Sequence, residues 1–148
     1  MTREERCLLA IERGYTYNPE TGNIYSRFGK LIKYKNLGYI VLCLSVNKKT
    51  YHIGGHQFAW YWVYKECVDC LDHINRVRND NRISNLRSVT HSQNMFNYNA
   101  KGYSYHKRLN KFCSHIQFNK KRMNLGCYKT EEEARNAYLQ AKEKYHII

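Results

Sequence analysis

No stretch of this sequence approaches the run of about 20 apolar residues needed to cross a bilayer. The N-terminus, MTREERCLLAIERG, lacks the long apolar segment and small-residue cleavage site of a signal peptide. Both absences point to a cytoplasmic protein with no membrane partner. Negative charge is scarce as well: 12 Asp and Glu stand against 25 Lys and Arg, a net charge of +13 at pH 7. Solubility does not call for such an imbalance, whereas a polyanionic partner does. A second C-x-x-C pair is missing too, so Cys67-Val68-Asp69-Cys70 has no counterpart with which to hold a structural zinc. In a reducing compartment Cys7, Cys43, Cys67, Cys70, Cys113 and Cys127 are expected to be free thiols.

What is present is ordinary for a folded protein. A chain of 148 residues with 43% hydrophobic content can make one domain or two very small ones. Fourteen tyrosines and five phenylalanines accompany the positive charge, a combination suited to phosphates and sugars, although any single ring is better explained as core.

From Tyr15 to Tyr51 apolar and polar residues alternate between turn signals at Asn18 to Asn23, Phe28 to Lys30 and Asn47 to Lys49, which predicts short antiparallel strands, one of them Tyr39 to Val46. Between His56 and Lys65, Phe58, Ala59, Trp62 and Val63 recur at helical spacing and predict a buried helix. Lys101 to Thr130 holds eight Lys and Arg and no Asp or Glu, and Glu131-Glu132-Glu133 follows at once. That break predicts a module boundary near residue 100, giving domains 1–100 and 101–148. In the second, Phe112, Ser114, Ile116 and Phe118 share one face of a strand, with Cys113, His115 and Gln117 on the other. Thr130 to Glu133 is a capping box opening a helix with Ala134, Ala137, Tyr138, Ala141 and Tyr145 on one stripe. The fold class expected is α+β, with a C-terminal three-stranded sheet packed on one helix.

Leu71 to Asn97 carries a density of Asp, His, Asn and Arg that does not suit a core. Phosphodiester hydrolysis needs a base for water and a cation for the developing charge, held in one frame. Asp72 and His73 supply a hard oxygen ligand and a base side by side. Neighbours in a strand face opposite ways, so they serve one site only where the strand is ending. Thr90 to Gln93 reads as a capping box, placing Asn94 in the first turn of a helix, where its carbonyl oxygen can face Asp72. Two oxygen ligands completed by water and phosphate oxygens describe one divalent cation, Mg2+ or Mn2+. Taken singly, an Asp-His pair is an ordinary surface feature and Asn85 or Asn94 a turn or cap residue. Their ordered occurrence in a basic chain is what favours catalysis.

Asp72-His73-Ile74-Asn75, Asp80-Asn81-Arg82, Asn85-Leu86-Arg87 and the Thr90 to Asn94 element resemble the HNH (His-Me finger) motif of phage and group I intron homing endonucleases. His56-Gln57-Phe58-Ala59 and the upstream strands extend the likeness. The resemblance implies a ββα-metal core with His73 as general base, Asp72 and Asn94 on the cation, and Asn85 bracing the loop that carries His73. It implies a double-stranded DNA substrate, with Arg82 and Arg87 among the DNA contacts, and the host cytoplasm as the setting if a phage carries the gene. His56 is expected to be structural and His91 exposed.

Lys101 to His146 resembles the Apetala or ethylene-response-factor type of DNA-binding domain. The match lies in Gly102 to Tyr105, Lys111-Phe112, Asn119 to Arg122, Leu125 to Tyr128 and Thr130 to Ala134, with Phe112 where that family has Trp. In that family the sheet enters the major groove. The exposed candidates are then Ser104, His106, Lys107, Arg108, His115, Gln117, Lys121 and Arg122. The leading expectation is a site-specific endonuclease, a monomer or weak dimer, nicking one strand per active site. The alternative is a catalytically inactive DNA-binding regulator on the same scaffold. A basic RNA-binding or structural protein would leave the ordered polar motif without a role.

Overall fold

Two compact units, Met1–Thr90 and His91–Ile148, make up the chain in the computed structural model, which describes residues 1–147. Among those residues no helix is long and apolar enough to cross a membrane. The division falls upstream of the composition break near residue 100, so the helix carrying Asn94 belongs to the second unit.

The first unit opens with α1 (Arg3–Glu12), a helix ahead of the alternating segment that starts at Tyr15. Its signal is Thr2-x-x-Glu5: the Glu5 amide donates to Thr2 Oγ1 at 3.1 Å and the Thr2 amide to Glu5 Oε2 at 2.7 Å, a reciprocal capping box. The helix buries Cys7 and Ala10. A two-stranded ribbon follows, β1 (Thr16–Tyr17) and β2 (Ile24–Tyr25), joined by a turn in which Asn18 Oδ1 accepts from the amides of Glu20 and Thr21. Within that turn Gly22 has φ +74°, and a Cβ there would lie 2.5 Å from the Arg82 nitrogen. Only glycine allows the turn to approach the polar segment so closely.

Next come β3 (Lys35–Asn36), β4 (Tyr39–Val46) and β5 (Lys49–Gly54), an antiparallel sheet in the order β3-β4-β5. The span expected for β4 is the span observed. Leu42, Leu44 and Ile53 point inward and are fully buried. Helix α2 (Gly55–Tyr64) leaves β5 directly and buries Phe58, Ala59, Trp60 and Tyr61. Here the expected stripe needs correction: Val63 is exposed and Trp62 half-buried. The helix packs both on β4 and β5 and on α1, so its covered face is wider than a single stripe. Strands β6 (Leu71–His73) and β7 (Leu86–Ser88) then pair antiparallel around a long loop and a 3-10 turn, Ile83–Asn85.

The second unit holds α3 (His91–Phe96), strands β8 (Tyr103–His106), β9 (Lys111–Phe118) and β10 (Lys121–Tyr128), and α4 (Glu131–Tyr145). The sheet is antiparallel with β9 central, and α4 packs across it. Thr130 Oγ1 accepts from the Glu133 amide at 3.2 Å, completing the expected capping box. Ser114 and Ile116 on β9 and Ala134, Tyr138 and Ala141 on α4 are buried, so the alternation and the helical stripe meet as the sequence suggests.

The expectation of six free thiols is corrected by a disulfide between Cys113 and Cys127; Cys7, Cys43, Cys67 and Cys70 remain free. The cause is register. Asn124 pairs with His115 but Gly126 pairs with Ser114, so a bulge at Leu125 absorbs one residue and brings Cys127 opposite Cys113, with Cα atoms 4.0 Å apart. Spacing along the sequence does not reveal a bulge.

Candidate active site

The β6 and β7 pair sets Asp72 opposite Arg87 and His73 opposite Leu86. Strand β6 ends at His73, and the loop after it, residues 74–81, is closed by Asn85. Asn85 Oδ1 accepts from the Asn75 amide at 3.0 Å, while its Nδ2 donates to Asn75 Oδ1 at 3.0 Å and to the Asp80 carbonyl at 2.8 Å. The Ile74 amide also donates to the Asn85 carbonyl at 2.9 Å. One buried carboxamide thus ties both ends of the loop, which suits asparagine because it has a donor and an acceptor on the same short arm. Across the loop, Arg82 Nε and Nη2 donate to the two Asp80 oxygens at 2.8 and 2.6 Å, and Asn75 Nδ2 adds a bond of 2.7 Å. The Arg82 guanidinium holds the Asp80 carboxyl down at about 2.

His73 is buried, at 6% exposure, in a wall of rings. Its ring centre lies 5.4 Å from that of His56 and 5.9 Å from that of Tyr39. His73 Nε2 meets Asn81 Oδ1 at 3.1 Å, a buried side-chain contact that fixes the ring's orientation. Asn81 is itself enclosed: its carbonyl accepts from Tyr17 Oη at 2.7 Å, and a Cβ on Gly55 would lie 2.7 Å from its Nδ2. Burial pushes the Tyr17 hydroxyl up to about 12. Burial and the neighbouring His73 press His56 down to about 4, so that ring is neutral at pH 7.

The Asp72 carboxylate is buried and accepts from Arg87 Nε at 2.9 Å and Nη2 at 2.7 Å. Both bonds fall on Oδ2, so Arg87 does not span the two oxygens as a fork. Arg82 and Arg87, expected to meet DNA, are therefore each engaged with a carboxylate, Arg82 with Asp80 and Arg87 with the buried Asp72. Asp72, His73 and Asn85 share the first unit, while Asn94 stands half-buried in α3 of the second, and His91 is exposed at the start of that helix. Asn81 was read from the sequence as part of a motif without a task. Its signal is a polar residue that packs where two glycines, Gly22 and Gly55, make room, which no linear pattern displays.

In the second unit, the strand register places Ser104, His106, Lys111, His115, Gln117, Arg122 and Asn124 on the face opposite α4, together with the disulfide. Lys111 and Asn124 had been missed, although a period of two along β9 and β10 includes them. Lys107 and Arg108 lie in the turn between β8 and β9, and Lys121 has the opposite parity to Arg122. His115, expected to be exposed, is half-buried, because β9 is the central strand and neighbours flank it on both sides.

No curated protein matches the chain. Among solved structures, one on DNA binding and cleavage by the HNH homing endonuclease I-HmuI is similar over 88% of this chain and 80% of that one, with 20% identity and a TM-score of 0.48. Residues 70–96 match the family model for HNH endonuclease, a segment that includes Asp72, His73, Arg82, Asn85, Arg87 and Asn94. Over those residues the chain has the sequence pattern of an HNH endonuclease.

Proposed function

We propose that this protein is a metal-dependent, site-specific DNA endonuclease of the homing type that nicks one strand per active site. The observation that carries the reading is the buried His73, held by Asn81 at the start of a loop closed by Asn85, within a segment of HNH pattern. The His73 imidazole takes the proton of the attacking water, and the ring walls keep it from rotating away. Asn81 and Asn85 act as positioning residues.

Asp72 would supply a ligand for one divalent cation. Among the described residues no three His, Cys, Asp or Glu side chains gather, so such an ion would rest on few protein ligands. Carboxylate and carboxamide oxygens are the donors that hard cations such as Mg2+ and Mn2+ take. Once bound, the cation would neutralise charge on the phosphate. The open sheet face of the second unit, with Ser104, His106, Lys111, Gln117 and Arg122, supports a module of the Apetala or ethylene-response-factor type that reads duplex DNA, with cationic residues on phosphate and polar ones on base edges.

The Arg87–Asp72 ion pair also supports a second reading, a DNA-binding regulator in which arginine has replaced the cation's charge. Supercoiled plasmid incubated with Mg2+ or Mn2+, with a chelator control, separates the two. Open circles that require the cation support the nuclease, and retarded but intact supercoils support the regulator.

A further inference from the structure

The turn between β3 and β4 carries a residue ill suited to its backbone. Asn36 pairs with Tyr39 across a two-residue turn in which both central residues have positive φ, Leu37 at +51° and Gly38 at +87°. Such turns favour Asn or Asp followed by Gly, since a bulky side chain is strained in the left-handed region. Leucine takes the first position, and its side chain is 80% exposed. Neither turn geometry nor core packing accounts for it. Lys33, Lys35 and Tyr34 beside it are exposed as well.

The tip is stiffly joined to the candidate active site. Arg78, in the loop after His73, donates through Nη1 to the Leu37 carbonyl at 2.9 Å. Its side chain runs along Gly38, where a Cβ would lie 3.5 Å from Arg78 Cδ, and its guanidinium sits 5.2 Å from the centre of the Tyr39 ring. Tyr39 is one of the two rings packed against His73. Phe28 offers a contrast. It is equally exposed at 80%, but the Arg27 guanidinium covers its ring at 4.6 Å, and its turn places the positive φ on Gly29.

We propose that Leu37 is a wedge that inserts between stacked base pairs of duplex DNA beside the active site and opens the step there. An apolar side chain pushed into a base step unstacks and unwinds it, and backbone strain held at an exposed tip accords with a functional demand. Lys33, Lys35 and Arg78 supply positive charge around the tip for the flanking phosphates. The proposal rests on the reading of DNA as substrate.

Unwinding can be measured without a known target site and without cleavage. Closed circular plasmid is relaxed by a metal-independent topoisomerase in chelator with the full-length protein bound, and the linking number is read after deproteinisation. Wild-type protein is expected to lower the linking number in proportion to occupancy measured by gel retardation. Leu37→Asn, which suits the turn better, should cut the shift at least two-fold at matched occupancy, with a thermal midpoint equal to or above wild type. Phe28→Ser should keep the full shift. A full shift from Leu37→Asn, a lowered midpoint in that variant, or an equal loss from Phe28→Ser would each overturn the wedge. Nicking of plasmid in Mg2+ is scored separately. A Leu37-dependent shift without nicking keeps the wedge and removes the nuclease, nicking without that shift removes only the wedge, and failure to bind DNA removes both.

Discussion

The first unit encloses Ile24, Leu42, Leu44, Ile53 and Phe58 and buries Asp72, His73, Asn81 and Asn85 beside them, whereas in the second Ile116 is the large apolar side chain buried to that degree among the described residues. Each such side chain stabilises a fold by roughly 1.5–3 kcal/mol. A core of that size can offset the cost of holding a carboxylate and an imidazole out of water. The second unit leans instead on a cross-link, a capped helix and small residues against its sheet. Rigid polar geometry belongs with the deep core, and the thin core belongs with an open cationic surface. The same contrast says where each kind of perturbation should be felt.

The largest effect expected is on chemistry. His73→Ala should lower nicking about 10²- to 10⁴-fold, the range for loss of a general base, while gel retardation of DNA is nearly unchanged. Near-normal nicking would mean that the base lies elsewhere. Asn85→Ala removes three hydrogen bonds from the loop ends and should destabilise the first unit by roughly 1–3 kcal/mol, with a rate loss greater than any loss of metal affinity. Calcium or manganese titration alongside nicking rates would show whether the two losses part.

Cross-linking separates the units next. The disulfide joins cysteines 14 apart in sequence, so reduction or Cys113→Ser with Cys127→Ser should cost the second unit about 3 kcal/mol. Both tryptophans, Trp60 and Trp62, lie in the first unit, so their fluorescence transition should not respond to reductant. Hydrogen exchange at β9 and β10 should accelerate at the same time. A shift of the fluorescence transition would show that the units unfold together.

Acid should act on the first unit. Unfolded His56 titrates near 6.5 and folded His56 only near 4, because burial opposes its charge. The unfolded chain therefore binds the extra proton first. Stability from this group is complete above pH 6.5 and falls as pH drops toward 4, by roughly 3 kcal/mol at most. Denaturant midpoints read by tryptophan fluorescence between pH 7 and 4 should show the loss, and His56→Gln should flatten it.

Much of this arrangement was legible in the sequence, for reasons that particular residues make clear. Thr130 with Glu133 and the alternation of Phe112 to Phe118 are local signals, and local signals are what periodicity and capping read well. Asp72, His73 and Asn85 were visible because their order is constrained by one short hairpin. Asn81 as the partner of His73 was hidden, since Gly22 and Gly55 make its pocket from distant parts of the chain. The bulge at Leu125 was hidden too, and with it the disulfide. Helix α1 was overlooked although Thr2 and Glu5 announce it.

The smallest effect expected tests the open face of the second unit. Arg122 and Lys121 are neighbours in sequence, equal in charge and both exposed, yet the register puts Arg122 opposite Gln117 on the open face and Lys121 opposite Phe118 on the other. If the open face meets DNA, Arg122→Gln removes one phosphate or base contact, and each phosphate contact contributes close to one unit to the slope of log affinity against log salt. Arg122→Gln should flatten that slope by about one, whereas Lys121→Gln should change it by clearly less. Affinity for random duplex DNA over a salt series would measure both, and because neither residue is buried, thermal stability should stay level. Equal slopes for the two variants would mean that the positive charge of this unit acts as a diffuse field and that the sheet has no reading face.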